Sequence, residues 1–147
     1  RAVVILQTLY PTVSKNCLLY LLYHDVVEAE VGDLPATTKW AHKDLAKLLN
    51  KIEHNYEKQL RIGKLAFDIT AKEKALCDIA DKLELVLHCD RLMQKGVALA
   101  QDVFLNGVNY LKNKYGKEDY FAKIGVILDY LIQNGSYNSF RCSENSD

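Results

Sequence analysis

The sequence predicts an all-α domain folded as a compact helical bundle. Three observations carry this reading. Only seven glycines and two prolines interrupt 147 residues, no alternation of apolar and polar residues lasts beyond a few positions, and apolar residues recur at spacings of three and four. A chain of this length buries about two thirds of its unfolded surface, enough for one core.

A first helix over about residues 1–10 is ended by Pro11. Ser14 is the N-cap of a second helix, which runs through Cys17, Leu18, Leu21, Leu22 and Asp25 to about Val31, where Gly32 stops it. After a loop at 33–38, a third helix carries Leu45, Leu48, Leu49, Ile52 and Tyr56 on one face. A looser stretch at 61–68 precedes Thr70, which forms a capping box with Glu73. The helix that follows is the longest and most apolar. Its Ala75, Leu76, Ile79, Ala80, Leu83, Val86 and Leu87 cover more than one face, which sends it through the centre of the bundle. Two more helices, over about 97–115 and 117–133, are separated by Gly116. Residues 1–135 form one domain without repeats or linkers, and 136–147 are a frayed polar tail.

Nineteen Lys plus Arg balance nineteen Asp plus Glu, which removes the positive field that stable, sequence-independent binding of nucleic acid or an anionic membrane needs. The longest apolar run, residues 17–23, is far short of the roughly 20 residues that a membrane crossing requires. Cys17, Cys77, Cys89 and Cys142 offer no Cys-x-x-Cys pair. Cys77 and Cys89, on one helix, are about 18 Å apart and beyond disulfide reach. The cysteines are expected to be reduced, at least two of them buried, in a cytoplasmic protein.

Asp25, Glu28, Asp33, Asp78 and Asp81 lie in or beside the two most apolar helices, where an uncompensated charge costs several kcal/mol. Glu28 is four residues from His24 and three from Asp25, so all three can border one cavity. Flanking Leu21, Leu22, Val26 and Val27 place that cavity in the core. An imidazole beside carboxylates, with an aspartate from another helix, makes a mixed nitrogen and oxygen set suited to a first-row divalent cation. The alternative is a histidine hydrogen-bonded to its neighbours, with carboxylates that cap nearby groups.

The run His24-Asp25-Val26-Val27-Glu28-Ala29-Glu30-Val31-Gly32-Asp33-Leu34-Pro35, followed by Lys39-Trp40, resembles the HD-domain phosphohydrolases in their 5'-deoxynucleotidase branch. The segment Ala80-Asp81-Lys82-Leu83, 48 residues beyond Gly32-Asp33, is similar to that branch's Ala-Asp-x-Leu helix. The resemblance covers about residues 1–92. The Gly-Tyr-Pro signature of the cyclic dinucleotide phosphodiesterases is absent.

The resemblance implies an HD-type bundle and one divalent metal ion, Co²⁺, Mn²⁺, Zn²⁺ or Mg²⁺, held by His24, Asp25 and Asp81. A further histidine is expected a few positions before a segment like Arg1-Ala2-Val3-Val4-Ile5-Leu6. Glu28 and Asp33 become the catalytic acids, which position or deprotonate water or protonate the departing oxygen. Lys39 is assigned to substrate phosphate, with a solvated helix face shared with Lys43, Lys47 and Lys51 as the alternative. Thr37 stands where a second proline is common, in a region of base or sugar contacts. Trp40 either stacks on a base or simply packs. Asp78 is expected to hydrogen-bond a neighbour rather than bind metal.

The expected activity is hydrolysis of a deoxynucleoside 5'-monophosphate. The alternatives are a triphosphohydrolase of the dATP type that releases tripolyphosphate, and a non-catalytic nucleotide-binding or interaction domain. The expected partner is a small deoxynucleotide, with a homodimer or higher homo-oligomer implied by the family.

Overall fold

The structure, a computed structural model, describes residues 1–32, 34–59 and 67–137, and only the backbone of residues 29, 30, 36, 37, 40 and 57. Among these residues every regular element is helical, as the residue spacing predicts. The elements are α1 (Ala2–Leu9), α2 (Lys15–Tyr23), α3 (Glu28–Val31), α4 (Ala36–Ala41), α5 (Lys43–Gln59), α6 (Ala71–Gln94), α7 (Ala100–Tyr115), a 3₁₀ turn (Asp119–Phe121) and α8 (Ala122–Asn134). The chain divides into two compact units, Arg1–Asp78 and Ile79–Asp147, and the division falls within the continuous helix α6.

In the first unit, Leu6, Cys17, Leu21, Val27, Leu49, Leu76 and Cys77 are buried. Ser14 caps α2 by accepting the Cys17 amide at 3.1 Å. The predicted second helix is interrupted. α2 stops at Tyr23, the turn beyond it is held by i to i+3 bonds from the Val26 amide to the Tyr23 carbonyl and from Glu28 to Asp25, and α3 then begins. The reason is visible at the end of α2: the His24 ring sits 2.6 Å from the Leu21 carbonyl, which a continuing helix would offer to the Asp25 amide. Gly32, at φ +79°, ends α3, and its amide bonds the Glu28 carbonyl at 2.9 Å.

The predicted third helix is likewise two. His42, with φ −123° and ψ 75°, ends α4 through its amide and starts α5 through its carbonyl, which accepts from Ala46 at 3.1 Å. Histidine is a weak helix former, so little opposes the break. On α5 only Leu49 of the predicted apolar face is buried. Leu45, Leu48, Ile52 and Tyr56 stay exposed. The expected capping box is present: the Thr70 amide bonds Glu73 at 2.9 Å, and the Glu73 amide bonds the Thr70 hydroxyl at 3.1 Å.

In the second unit, Ile79, Leu83, Val86 and Met93 of α6 are buried, as are Phe104, Val108 and Leu111 of α7 and Ile124 and Leu128 of α8. α7 approaches α6 closely, since a Cβ on Gly107 would lie 2.8 Å from a Val86 methyl. α6 ends in a Schellman motif with Gly96 at φ +82°, the Val97 amide bonding the Leu92 carbonyl and the Gly96 amide that of Met93. That motif ends at Val97 and a turn follows it, the Ala100 amide bonding the Val97 carbonyl at 3.2 Å, so α7 starts at Ala100 rather than near Val97. α8 starts at Ala122 because Asp119–Phe121 forms the 3₁₀ turn.

Buried Asp90 accepts the Ser136 amide at 2.9 Å and the Gln94 side chain at 3.0 Å, while Tyr137 stacks on Phe104. The start of the polar tail is thus held in place, and residues 138–147 lie outside the described set. No described helix is long and apolar enough to cross a membrane.

Candidate metal centre

The end of α2 and the turn beyond it present His24 and Asp25, anchored by Leu21 and Val27, each 3% exposed. Asp81 lies on α6 less than one turn past Asp78, on the helix that begins at Ala71. One ligand atom each of His24, Asp25 and Asp81 lies within 4.8 Å of the others, the arrangement expected from the sequence. Among the described residues this is the one such group of three or more histidine, cysteine or acidic side chains.

The expected burial differs. The His24 side chain is 28% exposed, that of Asp25 is 57% exposed, and Leu22 faces solvent. The group therefore sits at the edge of the core rather than in a cavity within it. Breaking the helix after Tyr23 turns the ionic side chains toward water, where a carboxylate keeps its hydration.

The bonding of His24 tests whether a cation fits. Its Nδ1 is 2.6 Å from the Leu21 carbonyl, which can only accept, so Nδ1 carries a proton. In the neutral ring Nε2 then holds a lone pair, 3.0 Å from Asp25 Oδ1. Two facing acceptors are resolved by a proton on Nε2 or by a cation bound to both. An imidazole oriented by a backbone carbonyl and set beside carboxylates is a donor set that suits a first-row divalent ion. Among the candidate ligands the residues fit the expected group.

Glu28 opens α3, and its Oε1 is 3.9 Å from Lys39 Nζ, both side chains being about one third exposed. Lys39 lies in the last turn of α4. Asp33 lies outside the described residues. Thr37 and Trp40 are described only as backbone within α4. Asp78 is not a member of the three-residue group. On the solvated face predicted for the lysines, Lys47 is 80% exposed and pairs with Asp44 at 3.6 Å.

Sequence reasoning passed over Lys82, whose Nζ is 2.8 Å from Asp81 Oδ2. Adjacent residues on a helix point about 100° apart, so spacing gave no cue, and only the flexible lysine stem brings the ammonium back. This ammonium offsets charge at one of the two aspartates.

A family model described as 5'-deoxynucleotidase YfbR-like matches residues 5–98, more than half of the chain. No curated protein and no solved structure matches the chain. The matched span contains the interrupted helix with His24 and Asp25, the turn at Gly32 and the α6 segment with Asp81, so the chain belongs to the YfbR-like 5'-deoxynucleotidase family.

Proposed function

We propose that this chain is a metal-dependent phosphohydrolase that converts a deoxynucleoside 5'-monophosphate to the deoxynucleoside and orthophosphate. The supporting observation is the convergence of His24, Asp25 and Asp81 in a member of this family. These three side chains would hold the divalent ion. When bound, that ion supplies Lewis acidity and positive charge to a phosphate beside it.

The protein groups then have distinct tasks. Glu28 takes a proton from the attacking water as the new phosphorus–oxygen bond forms. Lys39, within 3.9 Å of Glu28, offers its ammonium to a phosphate oxygen and holds the Glu28 carboxylate in place until substrate arrives. The resemblance puts Asp33 in the active site beside Glu28, and we assign it to the 5'-oxygen that departs, with Thr37 and Trp40 toward the sugar and base. Lys82 keeps one Asp81 oxygen engaged and so limits the rotation of that carboxylate.

The test offers the protein deoxynucleoside mono- and triphosphates with Mn²⁺, Co²⁺, Mg²⁺ or Zn²⁺ and identifies the products. Orthophosphate from monophosphates is expected. Tripolyphosphate from triphosphates would replace this reading with a triphosphohydrolase. A metal-loaded protein that binds nucleotide and releases neither product would replace it with a binding domain.

A further inference from the structure

Cys17 and Cys77 are not used by the chemistry above, yet their thiols meet inside the first unit. Their sulfurs lie 3.4 Å apart, about 1.4 Å more than a disulfide bond of about 2.05 Å. Both are free and buried, at 0% and 3% exposure. Each thiol also leans on the opposite helix, Cys17 Sγ toward the Glu73 carbonyl at 3.7 Å and Cys77 Sγ toward the Cys17 carbonyl at 3.6 Å.

We propose that Cys17 and Cys77 are a peroxide-sensitive thiol pair that closes to an intramolecular disulfide between α2 and α6. The two sulfurs are not equivalent. Cys17 is in the first turn of α2, where the positive end of the helix favours a thiolate. Burial pushes both thiols up, but the contact with Cys77 partly offsets this at Cys17, whereas the same contact pushes Cys77 further up. Cys17 is therefore the attacking sulfur and Cys77 the resolving one.

The oxidant is a hydroperoxide, small enough to reach a buried pair during brief local opening. The Cys17 thiolate attacks one oxygen of hydrogen peroxide, the O–O bond breaks, and a sulfenic acid and hydroxide form. Cys77 then attacks the Cys17 sulfur, the S–S bond forms, and a second hydroxide leaves. The two thiol protons convert both hydroxides to water, so two thiols and one peroxide give one disulfide and two waters. The bond would join α2 seven residues before His24 to α6 four residues before Asp81. It would staple together the helices that carry these two side chains, whatever substrate the protein acts on.

The experiment treats the reduced full chain with hydrogen peroxide and maps the peptides by mass spectrometry. A Cys17–Cys77 linked peptide, an intact-mass loss of about 2 Da and recovery of both thiols with dithiothreitol are expected. In Cys77→Ser, Cys17 should stop at a sulfenic acid that dimedone traps. Three results overturn the proposal: a link that uses Cys89 or Cys142 instead, sulfinic acid on Cys17 with no link, or four intact thiols in peroxide-treated chain. The wild-type peptide map decides the matter even if the serine variant fails to fold.

Discussion

Replacing Glu73 should loosen two helix starts at once, because its carboxylate accepts from both. Oε1 takes the Ser14 amide at 3.1 Å, and Oε2 takes the Thr70 amide at 2.9 Å and the Thr70 hydroxyl at 3.1 Å. The Ser14 side chain beside it is the main reason that the carboxyl is lowered to about 2, with the Thr70 amide next and the Ser14 amide after it. Hydrogen bonds to a charged group are worth about 1.5–3 kcal/mol when sheltered, but these lie at the surface, so Glu73→Ala should cost about 1–2 kcal/mol in all. For a chain of this length that lowers Tm by about 2–8 °C.

The folded carboxyl titrates below its ordinary value of 4.5, so its contribution is complete above that pH and is lost as pH falls through about 2. Thermal melts followed by circular dichroism should show wild type well above Glu73→Gln near neutral pH. The gap should narrow once the pH drops below about 4.5. A Glu73→Ala variant that melts with wild type near neutral pH, or a gap to Glu73→Gln that stays constant into acid, would refute the reasoning.

Asp81→Ala should weaken Mn²⁺ binding by at least 10- to 100-fold, the range lost even when an outer-shell partner is removed, as read by titration calorimetry. Glu28→Gln should bind metal and nucleotide normally but lose about 10²- to 10⁴-fold in kcat with monophosphate substrate; an unchanged kcat would leave Asp33 to handle the proton. Gly107→Ala places a methyl 2.8 Å from the stiff Val86 side chain, so urea unfolding should show a loss of about 1–3 kcal/mol with the m-value unchanged.

What the sequence made legible were features set by local rules. Ser14 and the Thr70–Glu73 box are short-range hydrogen bonds, and Gly32 marks a positive φ that other residues resist. The breaks after Tyr23 and at His42 were not legible, because the apolar spacing runs through both and only side-chain or backbone geometry interrupts the helix. At the site, the convergence of His24, Asp25 and Asp81 could be anticipated from a motif, but its exposure could not. Leu22 reads as core from its apolar neighbours, but it lies on the solvent side of α2. Lys82 escaped notice because a long flexible stem, rather than helical register, decides where its charge lies.

The contact between His24 and the Leu21 carbonyl also bears on how quickly a cation could be taken up. An imidazole in solution exchanges between two tautomers, and only one presents a given nitrogen as a donor to metal. Here the helix end has made that choice beforehand, holding a proton on Nδ1 against the Leu21 carbonyl and leaving Nε2 as the nitrogen that faces Asp25. The dependence runs in both directions. An ion on Nε2 favours the tautomer that ties the ring to Leu21, and by linkage it steadies the last turn of α2. Hydrogen exchange of the amides around residues 24–28 should therefore slow as metal is added, which makes the end of this helix a built-in gauge of loading.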